Sequence, residues 1–254
     1  MDAIGLDENC KARIDYDRCV SCGQCLVSCP FGAIVDKSQI FQVVRSIAEG
    51  NTVVAIVAPS FVGQFGKNVT VPKFVAAMKQ LGFSDVVEVA AGADVCAIEE
   101  ARDFVEKVPA QQKFLATSCC PSWRMMARRL FPDESGNISM TYTPMIYTAR
   151  LVKHTHPGSK VVFIGPCAAK KLEAMQQELR SDVDFVLTYE ELMGIFEAKA
   201  IDFSQLPDTD DLHDASGLGR GFAAAGGVAA AVEEVLRRTQ PDMEVKIQRA
   251  DGLR

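Results

Sequence analysis

The sequence predicts an α/β protein: a small α+β unit over residues 1–48, then a mainly parallel, doubly wound α/β domain over residues 49–254. Three observations predict it. Residues up to 48 are rich in turn formers and cysteine and carry no long periodic run. From Asn51 onward, strand-like and helix-like segments alternate, the pattern of βαβ units in a parallel sheet. The first of those strands, Asn51–Ala58 (NTVVAIVA), is a continuous apolar, β-branched run, which suits a strand covered on both faces.

The elements follow in order. Residues 2–4 and 12–15 read as the arms of a hairpin with Cys10 in its turn. Val71–Leu81 (VPKFVAAMKQL) has helical spacing, Asp85–Val89 reads as a strand, and Asp94–Val108 is an amphipathic helix. Lys113–Ala116 is expected as a strand, Ser122–Phe131 as a helix, and Lys160–Ile164 and Asp184–Leu187 as strands. Glu190–Ala198 is helical, Gly226-Gly227 precedes the helical run Val228–Arg238, and Met243–Ile247 is expected as one more strand.

Composition bounds the function. A chain of 254 residues with 48% apolar and 24% charged residues suits one large domain with a small appendage. The net charge of -6 and the lack of any basic block argue against a nucleic-acid surface. The best apolar stretch, Val53 to Val62, is short and broken by Pro59, so no membrane insertion is expected. The first residues lack the basic, apolar, small-residue pattern of a secretory signal, which leads to an expected cytoplasmic address.

Nine cysteines are many for such a chain, and their spacing points to metal or redox chemistry rather than disulfides. Cys19-Val-Ser-Cys22-Gly-Gln-Cys25-Leu-Val-Ser-Cys29-Pro30 has the C-x2-C-x2-C-x3-C-P spacing of bacterial 4Fe–4S ferredoxins. Tight spacing with Gly23 lets three thiolates converge on one cube, and Pro30 turns the chain away after the fourth. Either all four close on one cluster, or Cys29 serves a second one. A zinc site fits four cysteines this close in sequence poorly.

Two further cysteine sets, Thr117-Ser118-Cys119-Cys120-Pro121-Ser122-Trp123 and Gly165-Pro166-Cys167-Ala168-Ala169-Lys170-Lys171-Leu172-Glu173, each follow an expected strand and open an expected helix. Both therefore project toward the carboxyl edge of the sheet, where α/β proteins bind ligands. Helix N-termini at that edge favour thiolates and anionic clusters. Buried cysteines used as small apolar residues are the plainer reading of the same positions.

These motifs resemble those of the iron-only hydrogenases. TSCCPSW is similar to the first signature of that family and GPCAAKKLE to the second, usually M-P-C-x-x-K-x-x-E. Residues 17–65 resemble its ferredoxin-to-catalytic junction, and GFAAAGGVAAAV (221–232) resembles its F-G-x-x-G-G-V stretch. The resemblance implies a ferredoxin-like 4Fe–4S unit over 1–48 and a hydrogenase-like catalytic domain over 49–254. It implies reversible reduction of protons to hydrogen, a ferredoxin-like electron carrier, and maturation proteins that build the H-cluster, a 4Fe–4S cube joined to a di-iron subsite with CO and cyanide ligands. By resemblance, Cys120 and Cys167 ligate the cube, and Cys119 passes protons to the di-iron subsite. Lys170 hydrogen-bonds a cyanide, and Glu100, Asp103, Ser139 and Glu173 lie on a proton path. Pro59, Ser60 and Phe222 wall the pocket.

The chain departs from the family pattern in three places. Gly165 stands where the family usually has Met, which is expected to loosen the pocket wall, and Asp103 replaces a usual Glu. The third signature, E-x-M-A-C-x-G-G-C, with two more cluster ligands, is absent from these residues. Both ends thus look truncated against the family, and residues 1–254 by themselves are expected not to turn over. The first two departures leave open a hydrogen or redox sensor. An iron–sulfur assembly factor is a further alternative, against which Cys119 counts. Among smaller features, Cys10 reads as an ordinary turn residue and Cys96 as core. The His154/His156 pair reads as a helix end rather than a metal site, His213 still less as a ligand, and 208–211 as a solvated acidic loop.

Overall fold

The structure, a computed structural model, describes residues 2–108, 110–117, 119–208, 212 and 215–248. His213, most of the acidic loop and Ser118 lie outside the described residues. At the N-terminus, β1 (Ile4–Leu6) and β2 (Ala12–Ile14) form an antiparallel hairpin with Ile4 opposite Ile14. Asp7 closes the turn by accepting from the backbone N–H groups of Asn9 (2.8 Å) and Lys11 (2.9 Å), leaving Cys10 exposed. A single turn of helix, α1 (Gln24–Ser28), follows Gly23.

The remainder runs α2 (Ile40–Ala48), β3 (Val53–Val57), α3 (Val71–Leu81), β4 (Asp85–Glu88), α4 (Val89–Lys107), α5 (Pro121–Leu130) and α6 (Pro144–Thr155). It continues through β5 (Lys160–Gly165), α7 (Ala169–Ala174), β6 (Phe185–Thr188), α8 (Tyr189–Ala198), α9 (Gly217–Gly221) and α10 (Gly227–Thr239). β3 to β6 form one parallel sheet in the order β4-β3-β5-β6.

Every residue of β3 is fully buried, as its uninterrupted apolar sequence demands. Val53, Ala55 and Val57 pack on Val43 of α2, Phe74 and Met78 of α3, and Leu192 of α8. Val54 and Ile56 pack on Met145, Ile146 and Ala149 of α6. Helices thus cover both faces. A smaller cluster joins Ala97 and Ala101 of α4 to Ala231 and Leu236 of α10. Local signals set the helix starts: the Thr70 hydroxyl accepts from the Lys73 N–H ahead of α3, and Thr188 with Glu191 forms a capping box for α8.

From β3 the chain steps to β4 on one side and then crosses back to β5 on the other. The order reverses between β3 and β5, and their carboxyl ends define the crevice where such sheets bind ligands.

Two expected strands do not form among the described residues. Of Lys113–Ala116, only Ala116 makes an isolated bridge, to Ile138. Its partner segment has just left a 3-10 turn over Pro132–Asn137 and is extended too briefly to pair further. Residues 243–248 likewise stay irregular, because Met243 and Val245 pack on the α4–α10 cluster instead of a sheet edge. The helix expected from Asp94 starts five residues earlier, at Val89, directly off β4.

Candidate functional site

The carboxyl ends of the strands gather most of the candidate residues. After β3, a 3-10 turn spans Pro59–Phe61, and the Ser60 hydroxyl lies 2.8 Å from the Tyr189 hydroxyl at the start of α8. α9, which ends just before Phe222, packs beside that turn. It can approach because Gly219 has no side chain: a Cβ there would stand 2.1 Å from the Ala90 carbonyl of α4. Phe222, the residue after α9, packs on the α4–α10 cluster.

Cys119 and Cys120 reach this edge from a loop rather than from a strand end, and Cys120 is the residue before α5. Cys167 follows β5 and precedes α7. The two motifs are tied together by Lys170. Its Nζ donates to the Cys119 carbonyl at 3.0 Å and to Glu173 Oε2 at 2.7 Å. The other Glu173 oxygen accepts from the Thr143 hydroxyl at 2.8 Å. Glu173 is buried and fully engaged, so its visible task is to hold Lys170. An ammonium has three donors, and two are used in these contacts. Burial pushes the Cys119 thiol above its usual range, against the pull of Lys170, and keeps it protonated around neutrality.

A second buried group lies on α4. Glu100 is 2% exposed, and burial pushes its carboxyl up to about 7 against a hydrogen bond from Ser139. Its Oε2 has no partner among the described residues. Asp103, one turn on, is held by Lys107 at 2.7 Å. Cys96 lies one turn before Glu100 on the same helix face. It is core by burial, which pushes its thiol upward, with Glu100 adding to the shift. Its spacing of four from Glu100 was the available signal, and sequence reasoning passed over it.

Gly165 does not loosen the wall. A Cβ there would stand 2.4 Å from the buried Phe163 ring, which already fills the space. Beside the cysteine motifs, a cleft of about 290 Å³ is lined by Val20, Ser21, Ser122, Arg124, Tyr142 and Glu173 among others. The Ser122 hydroxyl is buried there without a hydrogen-bond partner among the described residues.

In the N-terminal run, the Ser21 N–H donates to the Cys19 sulfur at 3.4 Å. Backbone N–H groups of Ala33 and Phe31 hold the Cys29 thiol below its usual range. Cys19, Cys22, Cys25 and Cys29 are all free thiols at or near the surface. The donor chemistry suits an iron–sulfur cluster, although among the described residues no three of these thiols gather as a metal site. His154 and His156 end α6, and His156 faces Asp85 at 3.6 Å.

A doubly wound sheet with thiols at its switch point, joined to a ferredoxin-type cysteine run, defines an iron–sulfur protein of hydrogenase type. The family model described as "Iron only hydrogenase large subunit, C-terminal domain" matches residues 51–253, and a 4Fe–4S binding domain model matches residues 11–34. The chain belongs to the iron-only hydrogenase family. It is 32% identical over 251 residues to the NADP-reducing hydrogenase subunit HndD of Solidesulfovibrio fructosivorans, covering 87% of this chain and 42% of that one. It is also 33% identical over 134 residues to the cytosolic Fe-S cluster assembly factor NAR1 of Phaeosphaeria nodorum, covering 44% of this chain and 20% of the relative. Among solved structures, apo [FeFe]-hydrogenase HydA1 from Chlamydomonas reinhardtii, variant C377H, superposes with a TM-score of 0.69 at 22% identity, covering 85% of this chain and 63% of that one. No helix among the described residues is long and apolar enough to cross a membrane.

Proposed function

We propose that this chain belongs to a hydrogenase that reversibly reduces protons to hydrogen, with electrons entering from a ferredoxin-like carrier. Residues 1–48 serve as the electron-relay unit through clusters on Cys19, Cys22, Cys25 and Cys29, and residues 49–254 carry the catalytic edge. The observation that carries this reading is the buried join of Lys170 to the Cys119 carbonyl and Glu173, which sets a protonated thiol beside the cluster-type cysteines Cys120 and Cys167.

Cys120 and Cys167 would help hold the H-cluster, which would supply redox-active iron for proton reduction. This chain's own residues do the rest. The Cys119 sulfur, kept protonated by burial, holds a proton at the pocket. Lys170 fixes the Cys119 backbone and keeps an N–H for a cyanide ligand. Glu100, with a carboxyl that titrates near neutrality, and Ser139 carry protons from the interior side, and Asp103 follows toward the surface. Pro59, Ser60 and Phe222 exclude water from the pocket. Maturation proteins would assemble the cofactor.

A second reading, an iron–sulfur assembly factor without turnover, is supported by the likeness to NAR1. Infrared spectroscopy on the matured, anaerobically purified protein tests the choice. Bands from iron-bound CO and cyanide are expected for the hydrogenase, whereas full iron loading without them supports the assembly factor.

A further inference from the structure

The N-terminal unit has almost no core of its own. Among described residues 2–39, Val20 alone is buried. Apart from Val20, which lines the cleft beside α5, polar contacts fix where this segment sits. Three such contacts reach the sheet domain. Gln39 accepts from the Val186 N–H at 2.7 Å, and Arg129 of α5 donates to the Cys19 carbonyl at 3.0 Å. The third is the most elaborate. Lys171 of α7 donates to Asp36 at 2.5 Å, to the Lys37 carbonyl at 3.1 Å, and to both Glu191 oxygens at 2.9 Å.

The Lys171 side chain is 9% exposed and that of Glu191 10%. Ion pairs this buried give little net stability over an apolar pair of the same volume, because both charges are desolvated. Their use lies in directionality: one ammonium satisfied by three groups tolerates one arrangement of the segments that bring them. Glu191 is independently held by the Thr188 N–H at 2.8 Å, so it gives Lys171 a fixed anchor on β6 and α8.

We propose that Lys171 is a positioning residue that registers the cysteine-bearing N-terminal unit against α7, the helix that follows Cys167 and carries Lys170 and Glu173. Asp36 and the Lys37 carbonyl are its targets on the linker. Arg129 makes the matching tie from α5, which follows Cys120, to the backbone of Cys19. Each helix that follows a cysteine at the catalytic edge thus also holds the N-terminal run, and the spacing between the two sites is set by these contacts. The role in electron delivery rests on the reading given under Proposed function.

Hydrogen–deuterium exchange on the full chain tests it, comparing the unaltered protein with Lys171→Met, Asp36→Asn, the double variant and Lys171→Arg. Peptides covering 30–39 are expected to exchange about tenfold faster in Lys171→Met and Asp36→Asn, the scale of a hydrogen bond to a charged group. The double variant should be no faster than Lys171→Met, which already loses the Asp36 contact along with those to Lys37 and Glu191. Lys171→Arg should stay protected, and β3 and α3 should be unchanged throughout. A protected linker in Lys171→Met, additive effects in the double variant, or β3 and α3 opening together with the linker would overturn the proposal. If Lys171→Met fails to fold, Asp36→Asn decides alone. Iron content measured in parallel separates the two claims: a chain that takes up no iron removes the electron-relay reading, while the exchange pattern still judges the clamp.

Discussion

The Lys170 ammonium donates to the backbone carbonyl of Cys119 at 3.0 Å, so the lysine of one cysteine motif holds the main chain of the other. Without Lys170, Glu173 would keep only its Thr143 bond among these contacts, while remaining buried. Breaking a buried pair from one side strands the remaining charge. Lys170→Met is expected to destabilise the fold by about 3 kcal/mol. Adding Glu173→Gln should recover part of that loss. Urea denaturation of the two variants measures it.

Glu100 makes stability depend on pH. Burial raises its folded pKa to about 7 from an ordinary 4.5. A raised pKa means that the folded state binds the proton more tightly, so the contribution is complete below pH 4.5 and is lost as pH rises to about 7. The loss amounts to roughly 3 kcal/mol across that window. Glu100→Gln, which cannot ionise, should flatten that part of the curve. Denaturation midpoints taken from pH 4 to 8 would show no difference in slope if Glu100 ionised normally.

For the N-terminal run, anaerobic reconstitution should yield 4Fe–4S absorbance and a reduced-state EPR signal. Cys22→Ser and Cys25→Ser should diminish both, and Cys10→Ser should change neither, since Cys10 sits exposed in the β1–β2 turn. Zinc in place of iron in the purified protein would refute the cluster assignment.

At Gly165, a methyl group would meet the buried Phe163 ring at 2.4 Å. Gly165→Ala should therefore cost about 1–3 kcal/mol, the range for overpacking a filled core. Phe163→Leu in the same chain should relieve part of it. A thermal midpoint unchanged by Gly165→Ala would show that the ring moves freely.

Much of this was legible before the fold. β3 stood out because a strand buried on both faces needs an unbroken apolar run, and α3 because its apolar residues recur at helical spacing. The cysteine motifs were legible as chemistry, since their spacing serves no packing purpose. What stayed hidden depended on partners distant in sequence. Lys113–Ala116 has strand composition, but residues 137–139 offer it only one bridge. α2 was obscured by its place after the cysteine-rich head, although Val43 packs squarely on the sheet. Gly165 looked like a missing side chain until Phe163 was found to fill the gap. Lys171 was indistinguishable from any surface lysine until Asp36 and Glu191 met it.

The central claim is that Cys119 delivers protons at an edge where Cys120 and Cys167 hold the cofactor. Hydrogen evolution from reduced methyl viologen tests it most directly, in a matured chain extended to include the third cysteine signature, with Cys119→Ala alongside and iron measured in both. The account predicts clear turnover, lowered about 10²–10⁴-fold in Cys119→Ala by loss of the proton carrier while iron content stays nearly intact. Full activity in Cys119→Ala, or no hydrogen from a protein fully loaded with iron, would contradict it.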